Sequence, residues 1–288
     1  MRRVSVYGVF VGVFIFVYAV VSFLPFWIVI INSFATEPSI VRNGFQVFPR
    51  QFTLEAYRYI FAGYQVFKSY RNTLFVTSVG TVLATFITAT YAYVLSHRKA
   101  RYRNVLSFLT YFAMLLGAGL VGFYILVSRW LGLKDNIFAL ILPYLLNPFY
   151  TFILVAAYRQ VPYEIYESAT IDGANDFVAF FRIIWPISMP AIATVALFYA
   201  LQYWNDWWLA LLFIDSYNLH PLQMMIKSLM SAMNAAAYMG GHVTGVIPTP
   251  SNSIKMAVVC ITIGPIILAY PFVQKYFIRG ITIGAVKG

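Results

Sequence analysis

Reactive and metal-binding side chains are scarce in this chain. Its one cysteine, Cys260, lies inside an apolar run, so it forms no internal disulfide and belongs to no metal cluster. The three histidines, His97, His220 and His242, are scattered, with no HExxH, CxxC or triad-like grouping. A membrane-embedded enzyme is disfavoured on those grounds. There is no GKT/S loop either, so the chain does not bind ATP by that route. Charge is also sparse: 10% of 288 residues, against about a quarter in a soluble domain. The net charge of +11 could suggest nucleic acid. In so apolar a chain, basic loops beside anionic lipid headgroups are the stronger reading, and neither a nucleic-acid partner nor a metal is expected.

What is present is apolar length. Hydrophobic residues make up 61% of the chain, with 26 Phe and 22 Tyr. About 20 apolar residues at 1.5 Å rise cross a hydrocarbon core of roughly 30 Å. Such runs cover 9–31, 72–95, 105–127, 137–158, 187–213 and 254–277. The expectation is an all-α polytopic membrane protein with six transmembrane helices in a single domain over 1–288. The first run competes with a signal peptide, but it is too long and no small-x-small cleavage site follows. Four basic residues crowd the short loop His97–Arg103, which marks that loop as cytoplasmic. Parity then puts both chain ends inside and makes 214–253 an external loop. Gly117, Ala118, Gly119 and Gly122 lack the strand and Lys of a nucleotide loop and read as small residues for close helix packing. Pro143 and Asn147-Pro148 break the fourth run. The Asn there should face an interior or cavity, because the break frees backbone groups that need partners.

One stretch, 160–186, does not belong in lipid. It holds four of the nine acids, Glu164, Glu167, Asp172 and Asp176. Glu164, Glu167, Ser168 and Ile171 recur at helical spacing, Gly173 suits a helix end, and Phe177, Phe180, Phe181 and Ile184 repeat as a second short helix. The spacing predicts a helix–Gly–helix element lying against the membrane and offering an acidic knob to something soluble. An ordinary solvated loop fits the same spacing.

Glu167-Ser168-Ala169, Gly173, Ile183 and Pro186 resemble the EAA signature of ABC importer permeases, EAA–three–G–nine–I–x–L–P, with Ser168 for an Ala and Trp185 for the Leu. Asp172-Gly173-Ala174 fits the form common in the carbohydrate branch. The likeness runs from the first span to the last residue and points to the second permease subunit of a maltose-importer-like system, in the subgroup for oligosaccharides, often acidic or uronate-containing. It implies the type I importer fold in a bacterial or archaeal cytoplasmic membrane. It also implies a non-catalytic subunit with no cofactor of its own, ATP and Mg being used by a partner. The implied partners are a second homologous permease, an ATPase dimer, an extracytoplasmic solute-binding protein, a sugar and the lipid bilayer. The coupling residues carried over are Glu164, Glu167, Ser168, Ala169, Asp172, Gly173, Ala174, Phe177, Ile183 and Pro186.

Two further regions are candidates. Trp204, Asn205 and Asp206, with Asn147, suit a sugar pathway, because aromatic faces stack on pyranose rings while carboxylate and amide bind hydroxyls. An interfacial aromatic belt with a snorkelling acid fits them equally on spacing; the resemblance favours the pathway. In the external loop, Met224, Met225, Met230 and Met233 fit an amphipathic helix leading to Gly240, Gly241 and His242, and the resemblance implies a binding-protein contact there. A helix lying on the chain's own outer face is the other reading. Two rivals for the whole chain stand beside this one: an ABC permease for a non-sugar solute, and a free-standing secondary transporter.

Overall fold

The computed structural model describes residues 6–117, 119–240, 252–265 and 267. Nearly all ordered structure in them is helical. In chain order the helices are α1 (Val6–Asn32), α2 (Glu37–Asn43), α3 (Glu55–Phe61), α4 (Gln65–Ser96), α5 (Arg103–Leu115), α6 (Gly119–Ile125), α7 (Pro148–Arg159), α8 (Tyr163–Ile171), α9 (Asp176–Ile187), α10 (Met189–Asn205), α11 (Trp208–Phe213), α12 (Leu222–Gly240) and α13 (Asn252–Pro265). They fall into two compact units. One lies within Met1–Val66 and Ile226–Leu268, the other within Phe67–Met225.

The first unit begins with a helix that is apolar on every side. Phe10, Phe14, Phe16 and Tyr18 of α1 are all exposed, so the helix has no protein face against which to hide them. Lipid is the solvent that suits such a helix. Buried Asn32 ends it, donating to the Gln46 carbonyl at 2.7 Å and accepting from the Gln46 N–H at 3.0 Å. The following chain, α2 and α3, is pinned to that end by Ser33 Oγ and Tyr57 Oη, 2.8 Å apart. Burial pushes the Tyr57 phenol up to about 12. Glu37 in the first turn of α2 caps α13. Its carboxylate accepts from the N–H groups of Asn252 and Ser253 and from both their side chains, at 2.9–3.1 Å. A carboxylate there answers the orphan donors and positive end of a helix N-terminus.

The second unit packs α4 against α7 and α10. Ala84, Ala89 and Ala92 of α4 are fully buried and let neighbouring backbones come close. Gly80 does the same more severely: a Cβ there would lie 2.7 Å from the Tyr203 ring. The glycines of the third apolar run behave differently. At Gly117, Gly119 and Gly122 an added Cβ meets nothing within 4 Å, so among the described residues they serve no helix contact. Gly119 instead takes φ 70° where α6 starts, and the expected single helix over 105–127 is interrupted after Leu115.

Other expected spans are bent as well. The fourth is two short 3₁₀ turns over 137–144, then α7 at 45° to them, with Pro143 and Pro148 removing donors at the joint. The fifth is α10, which leaves α9 at 81° and gives way at Asp206–Trp207 to α11. Among the described residues two helices, α1 and α4, are long and apolar enough to cross a membrane, or up to five spans if each bent pair counts as one. The remainder of the sixth run, beyond α13, lies outside the described residues apart from residue 267.

A polar turn closes one end of the second unit. Asp135, at φ 57°, accepts from the N–H groups of Asp215 and Ser216 at 3.1 and 2.7 Å, and its second oxygen meets Ser216 Oγ. Lys134 pairs with Asp215 at 2.9 Å. The Ser216 hydroxyl and amide hold the Asp135 carboxyl below its ordinary value, and the Asp215 hydrogen bond raises Lys134.

Two outcomes are expected. Gly80→Ala overpacks the α4–α10 contact and should cost about 1–3 kcal/mol, read as a lower thermal midpoint of the full chain in detergent; an unchanged midpoint would contradict the close approach. Because the Asp135 pKa is lowered by folding, its contribution is complete above the ordinary carboxylate pKa of about 4 and is lost as pH falls through the lowered value. The midpoint of Asp135→Asn should therefore fall less than that of the parent on acidification. Parallel acid limbs would rule this out.

Candidate functional site

The acidic stretch forms a bend made by two helices and their caps. α8 ends in a Schellman motif: the Ala174 N–H reaches the Ala169 carbonyl at 2.9 Å, and the Gly173 N–H reaches Thr170 at 3.1 Å. That geometry needs a left-handed residue, and Gly173 has φ 81°. Asn175 then starts α9, its Oδ1 accepting from the Val178 N–H at 2.9 Å. Glu164, Glu167, Ser168, Asp172, Gly173 and Phe177 are exposed, while Ala169 is buried and Ala174 half-buried. None of the four carboxylates enters an ion pair among the described residues. Two large apolar side chains stand out beside them, Ile171 at 85% and Phe177 at 70% exposure. The tip thus offers acids and apolar groups together.

Behind the tip the bend is held by aromatic packing. Tyr93, near the end of α4, lies 4.8 Å from the Phe180 ring and 6.1 Å from Tyr166, and its hydroxyl donates to the Asp176 carbonyl at 3.3 Å. It therefore touches both limbs of the bend. Burial pushes the Tyr166 phenol up, so it stays neutral. A cleft of about 680 Å³ opens between this end of α4 and the bend, lined by His97, Lys99, Glu167, Ile171 and Asp176 among others.

The expected stripe Phe177–Ile184 is shifted by a π turn over Phe180–Ile184, closed by the Trp185 N–H on the Phe180 carbonyl. Pro186 explains it, having no N–H for the normal i−4 bond. Phe180 and Ile184 are buried, Phe181 and Ile183 half-buried, and Pro186 exposed. The bend then passes through Ser188 into α10.

The second candidate group sits where the helices break. Asn147 caps α7, its Oδ1 accepting from Phe149 at 2.9 Å and Tyr150 at 3.4 Å. Its own N–H, freed by the break, donates to Tyr199 Oη at 2.9 Å, and that hydroxyl also meets Thr88 Oγ1 at 2.6 Å. Tyr203 Oη donates to the freed Ile141 carbonyl at 3.0 Å. Asp206 accepts from Tyr144 Oη at 2.9 Å and from the Leu209 N–H at 3.2 Å, so its carboxylate steadies the start of α11. Trp204 is buried, Asn205 is exposed, and Trp207 and Trp208 are partly exposed, 5.7 Å apart and edge to face. Sequence reasoning missed Tyr144, Tyr199 and Tyr203. The available signal was the i, i+4 pair 199 and 203 on a span facing a Pro-broken one. Met233, of the proposed external contact, is half-buried and Gly240 ends α12; Gly241 and His242 lie outside the described residues.

No family model matches the chain. Relatives in sequence do. Protein LplC of Bacillus subtilis is 42% identical over 268 residues, 93% of this chain and 90% of its own. The polygalacturonan/rhamnogalacturonan transport system permease protein YtcP of the same organism is 39% identical over 275 residues, 96% of each chain. The trehalose/maltose transport system permease protein MalG of Thermococcus litoralis is 30% identical over 275 residues, 94% of this chain and 93% of that one. This chain belongs to the sugar-transporting ABC permeases. The permease also superposes on a chain from a bacterial ABC transporter that imports the acidic polysaccharide alginate, with a TM-score of 0.82 and 26% identity over 96% of this permease and 98% of that chain.

Gly173→Ala forces a Cβ into the left-handed region, at about 1–2 kcal/mol. Amide exchange at Gly173 and Ala174 of the full-length permease should speed up, and Gly173→Asn should recover part of the protection. Unaltered exchange in the Ala variant would count against the cap.

Proposed function

We propose that this permease is one of two membrane subunits of an ATP-driven, binding-protein-dependent importer of oligosaccharides, acidic ones included. It has six spans with both ends in the cytosol of a bacterial or archaeal cell and is coupled to a separate ATPase through the bend Glu164–Ile187. The observation that carries the coupling role is the exposed tip, where unpaired Glu164, Glu167 and Asp172 stand with protruding Ile171 and Phe177. Such a knob fits a groove that supplies Arg or Lys around an apolar floor. The preference for acidic oligosaccharide is supported by the substrates named for YtcP and for the alginate importer.

In this mechanism the permease does no bond chemistry. ATP and Mg are bound by the ATPase pair, whose closure pulls the docked bend. The pull passes by two routes. Tyr93 carries it to α4, and the turn at Ser188 carries it into α10, whose far end holds Tyr199, Tyr203 and Asp206. Rotation of α10 therefore moves the region of Trp204, Asn205 and Asp206, where a binding protein docked at the external loop would release sugar. Of that group, exposed Asn205 and the Trp207–Trp208 pair are better placed to meet a sugar than Trp204.

Glu167→Lys reverses the charge at the centre of the tip without touching the buried Ala169 face. It should lower sugar-stimulated ATP hydrolysis and uptake by about tenfold or more, the equivalent of about 1.5 kcal/mol of interface coupling. Membrane insertion and co-purification of the second permease should be unaffected. Normal uptake in that variant would refute the coupling assignment.

A further inference from the structure

A second, smaller pocket lies beside the bend. It encloses about 160 Å³ and is lined by His97, Arg98, Arg103, Tyr158, Arg159 and Tyr163 among others. That is room for about five waters at roughly 30 Å³ each. No Asp or Glu lines it. Three arginines therefore line one small space, and none of them enters an ion pair among the described residues. Arg98 is held in place by stacking over the Tyr163 ring at 5.0 Å. Two of its lining residues carry a buried polar atom with no partner among the described residues. Tyr158 is 2% exposed and its hydroxyl has no hydrogen-bond partner among the described residues. His97 Nδ1 is likewise buried and unpartnered. Burying such groups unbonded is costly, and an oxyanion suits the arginines that line the space beside them.

The pocket's position narrows the anion. Its residues come from the last turn of α4, the loop behind it, the start of α5 and the last turn of α7. Those are the ends of apolar helices, the depth at which headgroups lie if α4 and α7 cross the membrane. Beyond Arg103, α5 carries exposed Val105, Phe108, Leu109 and Phe112 at i, i+3, i+4 and i+7, an uncovered apolar stripe suited to an acyl chain. We propose that this pocket holds the phosphate of an anionic phospholipid headgroup. The phosphate joins the basic loop His97–Arg103 to Arg159 and, through Arg98, to Tyr163, the first residue of α8. The coupling bend is then anchored on the lipid as well as on Tyr93. This rests on the membrane reading of α4 and α7 and is independent of cargo and of the ATPase.

The test is lipid retention by the purified full-length permease, followed by native mass spectrometry in detergent with added phosphatidylglycerol or phosphatidylcholine. The wild type should retain phosphatidylglycerol in preference. Loss of one guanidinium should weaken retention roughly fivefold and loss of both in Arg98→Ala/Arg159→Ala roughly twenty-five-fold. Inorganic phosphate at millimolar concentration is the competing arm. Equal retention of the two lipids by the wild type, or phosphatidylglycerol retention unchanged in the single and double arginine variants, would overturn the proposal. Displacement of the bound lipid by inorganic phosphate, with no preference left between the lipids, would overturn the lipid as the source and assign the pocket to the free ion. Failure of the Glu167→Lys test would leave these results standing.

Discussion

A broken helix in an apolar solvent must find partners for the backbone groups it frees. Each unmet group costs several kcal/mol, because no water is at hand in the hydrocarbon. In this permease the break between Ile141 and Asn147 is repaired by one neighbour, α10. Tyr199 accepts the freed Asn147 N–H, Tyr203 donates to the freed Ile141 carbonyl, and Asp206 takes the Tyr144 hydroxyl. The close approach of Gly80 to Tyr203 and the Thr88–Tyr199 hydrogen bond bring α4 into the same arrangement. Three helices are thereby registered to one another by phenol hydroxyls rather than by ion pairs, which desolvation would penalise far more heavily.

The bend that precedes α10 follows the same economy of charge. Its interior is a cluster of rings, Tyr93, Tyr166, Phe180, Phe181 and Trp185, and its acids all point outward. Aromatic packing gives a stiff connection that needs no water and no counter-charge. The carboxylates are left available for another molecule. This ring-packed bend, with its acidic and apolar tip, is in the proposed mechanism the linkage between the ATPase and a membrane helix. In the proposed mechanism α10 is both the helix that the bend pulls and the helix that repairs the broken span, so moving one must disturb the other.

Much of this follows from local pattern. The apolar runs, the basic loop at His97–Arg103 and the helix–Gly–helix bend are visible because they depend on residue type at short spacing. Gly173 takes the left-handed cap and Pro143 and Pro148 mark a break for reasons confined to a few residues. Other features did not follow from pattern. The glycines at 117, 119 and 122 looked like packing residues, and only the neighbours' positions show that Gly80 has that role within this chain. The phenylalanine stripe was read with a period of 3.6, and the π turn forced by Pro186 shifts it. Trp204 could not be distinguished from Trp207 and Trp208 as the exposed ring, since all three lie within five residues and a helix break decides which way each points.

By itself, then, the sequence determined which segments are apolar, the family signature and the acid-bearing turn, because hydrophobicity, φ preference and missing N–H groups act on the residue that carries them. The tertiary structure alone decided which hydroxyl meets which freed backbone group, which glycine admits a neighbour's ring, and that Arg98, Arg103, Arg159 and Tyr158 share one small space. Those are relations between segments some 50 to 120 residues apart, and they exist only once the bends have set the helices side by side.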